Sequence, residues 1–161
     1  MQARWFRHLI NLWPPFVGAG IRVTRITPDW RRLEVEMGLR WYNRNYVGTH
    51  FGGSLFAMTD PFLMLMAIHN LGREYVVWDR AGEIEFVAPG RSRVTAVFQL
   101  AESDLEEMRA HTSGGEKYLR WFSLEIRGED GALVARVRRQ LYVRRARESE
   151  ARRQTAVWVS C

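Results

Sequence analysis

A chain of 161 residues that is 47% apolar is long enough to close a single hydrophobic core and too apolar to stay disordered. One cysteine, Cys161, excludes an internal disulfide framework and a cysteine-built metal site, and it fits a reducing compartment, so a cytoplasmic location is expected. The net charge of +6 is carried almost wholly by arginine, a balance that suits phosphate-bearing partners.

Residues 4–13 form a short amphipathic pattern, with Trp5, Leu9, Leu12 and Trp13 toward one side and Arg4 and Arg7 off it. A helix is expected there, packed against the domain and stopped by Pro14-Pro15. The stretch lacks an uninterrupted apolar core and a small-residue cleavage site, so no secretory signal is expected. Residues 21–27 read as a first strand. Leu33, Val35, Met37 and Leu39 then alternate with Glu34, Glu36 and Gly38, the pattern of a half-buried strand.

The run 51–70, FGGSLFAMTDPFLMLMAIHN, has Asp60 as its one formally charged residue. It is nearly long enough to span a bilayer, but Asp60 and Pro61 sit at its centre, so a buried central helix over about 54–69 is expected and no membrane span. Ser54 is the candidate N-cap, and Pro61 should kink the helix. A helix apolar on nearly all sides is buried on nearly all sides, and one sheet cannot cover it, so a homodimer or a dimer of dimers is expected.

Four further strands follow, over about 75–88, 94–100, 118–127 and 133–143, the last two flanking the hairpin loop Gly128-Glu129-Asp130-Gly131. Residues 102–116 read as a long loop or a short helix with a loop. The expected organisation is an N-terminal helix over 1–18, one domain over 19–145 and a tail over 146–161. Strands, one buried helix and then antiparallel strands make an α+β plan, a curled antiparallel sheet wrapped around a long central helix.

Backbone donors at the Gly52-Gly53 turn and a lone acid two turns later suit chemistry on a polarised carbonyl. An ordinary core helix, its acid satisfied by hydrogen bonds or facing water, accounts for the same residues equally well. The histidines show no ligand spacing with cysteine or carboxylates, so no metal and no cofactor are expected. There is no Gly-x-Ser-x-Gly elbow and no phosphate-binding loop. Arg91 and Arg93, and Arg136, Arg138 and Arg139 with Arg144 and Arg145, are the candidates for phosphate contact. Nucleic-acid binding needs basic residues interleaved with exposed aromatics on one face; Trp121 and Tyr142 could supply the aromatics but serve as readily in a core or dimer contact, so nucleic acid is not an expected partner.

The segment 45–60 resembles the hotdog-fold acyl-CoA thioesterases of the phenylacetate-degradation and 4-hydroxybenzoyl-CoA type. Asn45 and Gly48 match the opening of that group's motif, Gly52-Gly53 match its glycine pair, and Asp60 falls seven residues after Gly53. The stretch AGEIEFVAPGRSRVTAVFQL is similar to the strands that follow it. Phe51 departs from the pattern, since it occupies the motif's His position while His50 lies one place early. The resemblance implies hydrolysis of an acyl-CoA or related thioester. Asp60 would be the base or nucleophile, Gly53 or Gly52 would donate to the carbonyl oxygen, and Asn45 would position the loop or the lytic water. Gly48, His50 and Phe51 would line the substrate site, which in this fold lies between subunits. The competing readings are a non-catalytic acyl-thioester or lipid-binding module and, on the same fold, a hydratase or dehydratase with His50 reaching inward.

Overall fold

The computed structural model describes residues 2–146. In chain order the elements are α1 (Ala3–Ile10), α2 (Pro14–Ala19), β1 (Ile21–Ile26), β2 (Arg32–Met37), α3 (Gly52–Ala57), α4 (Phe62–Leu71), β3 (Tyr75–Phe86), β4 (Val94–Gln99), α5 (Glu102–His111), β5 (Tyr118–Gly128) and β6 (Leu133–Arg145). The six strands make one antiparallel sheet in the order β1-β2-β4-β5-β6-β3. Its inner face carries every second residue of the long strands: Leu33, Val35 and Met37 on β2, Val94, Ala96 and Phe98 on β4, Val137, Leu141 and Val143 on β6. These pack around Met58, Phe62 and Met66, which are fully buried.

The central helix is two helices. α3 ends at Ala57, α4 starts at Phe62, and a turn holding Asp60 and Pro61 joins them. Proline has no N–H to give to the preceding turn, and its ring excludes the carbonyl four residues back, so the expected kink is a complete break. The Asp60–Pro61 peptide is cis. Ser54 is not the N-cap either: the helix begins one turn earlier, with Phe51 as a cap that makes no side-chain bond.

One further difference follows from proline, and residues 102–116 take the second of their two expected forms, a helix with a loop. Pro14 does not merely stop α1; it occupies the first turn of α2, where its missing N–H has no partner to lose. Residues 102–111 form a full helix, α5, since Asp104 accepts from the Ala101 N–H and closes its first turn.

α4 is largely covered within its own chain, while Gly53 and Ala57 of α3 stay exposed, so the expectation of a covering second subunit bears on α3. Phe62, Leu63, Met66 and Ala67 face the sheet core, while Leu65 joins a second cluster with Ala3 and Trp30. Trp30 stacks on His69 at 3.6 Å and tilts against Phe6 of α1 at 5.1 Å. Burial lowers the His69 pKa despite its bond to the Leu65 carbonyl, so the neutral ring is favoured where the helix end alone predicts the protonated one.

The two sheet edges differ. At β1 the Asn11 side chain exchanges two hydrogen bonds with Val23, and Arg7 donates to the Thr24 carbonyl, so α1 closes that edge. At the other edge lies the twelve-residue β3, and no other described strand pairs with its outer side.

Candidate functional site

The site begins with the loop that carries the chain from β2 into α3. Asn45 shapes it: its Oδ1 accepts from the Thr49 N–H at 3.0 Å and its Nδ2 donates to Thr49 Oγ1 at 2.9 Å. Gly48 turns the chain with φ of 79°, a conformation that a side chain would strain. Asn43 fixes the loop to its neighbours by donating to the carbonyls of Ala19 and Gly38. His50 is buried. Its Nε2 bonds the Ser92 carbonyl at 2.8 Å, and its backbone N–H donates to Gly90, so this ring ties the loop to the turn before β4. Burial holds the imidazole below its ordinary pKa, and in that neutral form the ring reaches no substrate through Nε2.

Gly52 and Gly53 then open α3. The first N–H groups of a helix have no intrahelical acceptor, and no described acceptor reaches these two. The ring of Phe51 lies over Gly53 and the ring of Phe86 over Gly52, so close that a Cβ on either glycine would overlap them. Both rings are more than half exposed. Glycine is thus required by the close approach of two aromatic rings, which form an apolar rim beside free N–H donors.

Asp60 lies at the other end of α3, with 53% of its side chain exposed. Its Oδ2 accepts from Arg139 Nη1 at 3.4 Å. Arg139 itself is buried, its guanidinium stacked 4.1 Å from the Phe56 ring. It also donates to the Phe56 carbonyl at 2.9 Å and to Thr59 Oγ1 from Nε and Nη2. A cation therefore caps the C-terminal end of α3, where the helix dipole favours it, and orients the carboxylate just beyond. The apolar run does contain its counter-ion, supplied from β6 eighty positions away.

A second carboxyl stands nearby. Burial pushes Asp79 on β3 up to about 6; the Asp60 charge adds to the rise and the Arg139 guanidinium opposes it. A group raised in the folded state holds its proton there, so it costs nothing below the unfolded value of 3.8 and becomes destabilising as pH rises through about 6. The full difference is about 3 kcal/mol. Asp79→Asn is therefore expected to unfold several degrees higher than the parent at pH 8 and at the parent temperature near pH 4. Thermal melts at both values check this, and an unchanged difference across that range would place Asp79 in water.

The arginine groups divide by strand face. Arg136 and Arg138 point outward and pair with Glu85 and Glu83 across the β3–β6 ladder, while Arg139 points in. Arg93 pairs with Glu36 and Glu129. The clusters expected to contact phosphate are thus mostly neutralised by carboxylates, and among the described residues Arg91 makes no ion pair. Among the described residues, no group of three His, Cys, Asp or Glu side chains could hold a metal ion. No described helix is long and apolar enough to cross a membrane. Thr59 and Asp79 were not singled out in the sequence, and Arg139 was singled out for phosphate contact and not as the partner of Asp60. The signal for Arg139 was present, since the alternation Val137, Leu141, Val143 puts position 139 on the inner face.

Comparison with solved structures places this arrangement among known folds. The Pseudomonas aeruginosa protein PA5026, a protein of unknown function and probable thioesterase, is 17% identical and aligns over 91% of this chain and 97% of its own, with a TM-score of 0.79. The thioesterase HI1161 from Haemophilus influenzae is 17% identical over 90% of this chain and 92% of its own, with a TM-score of 0.65. A protein of unknown function from Chlorobaculum tepidum is 15% identical over 89% and 94%, with a TM-score of 0.70. At such identities the likeness is one of fold. No curated protein sequence matches. Residues 2–143, nearly all of the described chain, match the family known as domain of unknown function DUF4442, and the protein belongs to that family.

Proposed function

We propose that the protein is a hotdog-fold hydrolase of acyl thioesters, acyl-CoA among them, and that it works as a homodimer. The observation that carries this reading is Asp60, a half-exposed carboxylate held by Arg139 at the break between α3 and α4. The thioesterase description of two structures with the same fold supports it.

In the proposed reaction the thioester carbonyl oxygen accepts hydrogen bonds from Gly53 or Gly52 N–H, where the positive end of the helix dipole favours developing negative charge. Asp60 takes a proton from water as the water oxygen bonds to the carbonyl carbon. The tetrahedral intermediate collapses, the C–S bond breaks, and the thiolate leaves with the electron pair and is protonated. Phe51 and Phe86 keep the glycine turn apolar, and Asn45 holds the loop in shape.

Helical rise separates the glycine turn from Asp60 of the same chain by about 10 Å, too far for both to act on one carbonyl. A partner paired along the bare edge of β3 would bring its own Asp60 to this chain's glycine turn, because Phe86 on that edge already covers Gly52. Thiol release from a panel of aryl, short, medium and long acyl-CoA thioesters tests the reaction, and equilibrium sedimentation tests the dimer. The expected result is a stable dimer that hydrolyses at least one member. A folded monomer at micromolar concentration would remove the shared site.

Two observations favour a non-catalytic acyl-thioester or lipid-binding module instead: Asp60 already has a cation partner in Arg139, and Phe51 stands where the motif has His. A protein that binds acyl-CoA without releasing thiol establishes that reading. A hydratase would need an imidazole in the site, and His50 gives its Nε2 to Ser92.

A further inference from the structure

The N-terminal helices expose an apolar strip that the fold leaves uncovered. α1 turns Ala3, Phe6 and Ile10 inward and uses Arg7 and Asn11 to close the β1 edge. Trp5, Leu9, Leu12 and Trp13 lie on the opposite side and are exposed, with Trp5 at 66% and Leu12 at 73%; Val17 of α2 continues the strip. Leu12 and Trp13 follow the helix end directly, so the five side chains run along one continuous segment. Single exposed apolar residues are ordinary, but two tryptophans and three aliphatic side chains along one segment are not.

The charge near the strip is mostly basic; Glu36 lies opposite Arg22 across the β1–β2 pair but is engaged by Arg93. No carboxylate occurs before Asp29, while Arg4 stands beside Trp5 and Arg22 projects from β1. Asn43 ties the loop bearing Arg40, Trp41 and Arg44 to Ala19 at the end of α2, and Trp41 is 81% exposed. Among the described residues none of Arg4, Arg22, Arg40 and Arg44 is in an ion pair, in contrast to Arg136 and Arg138 on the outer sheet face.

We infer that this face docks on an anionic lipid surface, with Trp5, Leu9, Leu12 and Trp13 entering the headgroup boundary and the unpaired arginines meeting lipid phosphates. Tryptophan suits that boundary because its ring is apolar and its N–H stays hydrated. A helix with one apolar face and flanking arginine lies in the interface plane, and its attachment combines apolar burial with attraction to anionic headgroups. A second copy is the less fitting occupant. The bare edge at β3 lies at the opposite side of the sheet from β1, which α1 covers, so a dimer formed there leaves the strip open. A self-association of two arginine-fringed faces would also bring like charges together. The inference is independent of thioester hydrolysis.

Flotation of the full chain with vesicles of phosphatidylcholine containing one-third phosphatidylglycerol, against pure phosphatidylcholine, tests it. The chain should float with the anionic vesicles and much less with the neutral ones. Trp5→Ser with Leu9→Ser should weaken that binding by about tenfold or more while the far-UV spectrum is unchanged, since both side chains are already in water. Arg4→Gln with Arg22→Gln should lower anionic binding toward the neutral level. The proposal is overturned if the parent does not float, or if the Trp5/Leu9 variant floats equally well. It also fails if that variant has a smaller sedimenting mass than the parent, which would mean that a second copy covers the strip. Binding that appears only when Trp158 is replaced by Asp would assign the strip to the C-terminal segment and reject lipid.

Discussion

Asp60→Asn should lower acyl-CoA hydrolysis by roughly 10²-fold or more, with the drop in kcat and little change in KM. The amide is nearly isosteric but cannot take the proton from water, and the remote part of the substrate contacts other residues. The fold should survive. The carboxylate is half exposed, and its link to Arg139 is one of several that Arg139 makes, so the stability change is expected within about 1 kcal/mol. Thiol-release kinetics with a chemical melt on the same sample separates the two effects. Parent-like hydrolysis in a folded Asp60→Asn protein would end the role of Asp60. A sharper version uses two inactive chains. Gly53→Val places a side chain into the space of the Phe51 ring and disturbs the donor turn. Co-expressed with Asp60→Asn, it should recover activity, because a mixed dimer has one site with an intact donor turn from one chain and an intact acid from the other. No recovery in a proven mixed dimer would place the acid and the turn of each site in the same chain.

Arg139→Leu is expected to be the most destabilising single change near the site, by about 3 kcal/mol. Leucine keeps much of the apolar contact with Phe56 but removes the guanidinium donors to the Phe56 carbonyl, Thr59 and Asp60, leaving that carbonyl the Thr59 hydroxyl and N–H alone. The end of α3 then loses its cap, and a buried carbonyl and hydroxyl lose partners inside the sheet. Arg139→Lys should recover only part of the loss, because one ammonium cannot serve positions that a planar guanidinium spans. Urea unfolding measures both; similar m-values would show that the native state, not the denatured ensemble, was altered. A loss below about 0.5 kcal/mol in Arg139→Leu would mean that water replaces the guanidinium without penalty.

The charges at this site oppose one another in a way that bears on function. Asp79 is held near Asp60 although its ionisation is unfavourable in the folded chain, and the Arg139 cation acts on both. Clusters of this kind are common where a protein retains groups for a task other than stability. A protonated Asp79 beside the Asp60–Arg139 pair also means that the local net charge changes as pH crosses about 6. Asp79 must therefore be considered when a pH–rate profile is read.

The sequence by itself determined the elements whose pattern is local. Alternation at Leu33, Val35 and Met37 and at Val94, Ala96 and Phe98 fixed two inner strands, because a period of two turns every second side chain to one face. The GEDG loop located the last hairpin, whose Gly131 has φ of 80°. Apolarity around the whole helical cylinder announced a buried helix over about 54–69, which holds for α4 and only in part for α3, and Gly52-Gly53 announced a turn with open N–H donors. Tertiary structure decided the rest. Whether Pro61 kinks or breaks a helix depends on what can bond the freed carbonyls, and here Arg139 reaches the Phe56 carbonyl from a strand eighty residues away. Whether Asp60 is lone or paired depends on the same residue. Cover of α4 by Trp30 and α1 was likewise a tertiary matter, because two elements distant in sequence close over it. Which sheet edge stays bare was likewise settled by where α1 docks. Pairing across such separations follows from packing, which no window of neighbouring residues contains.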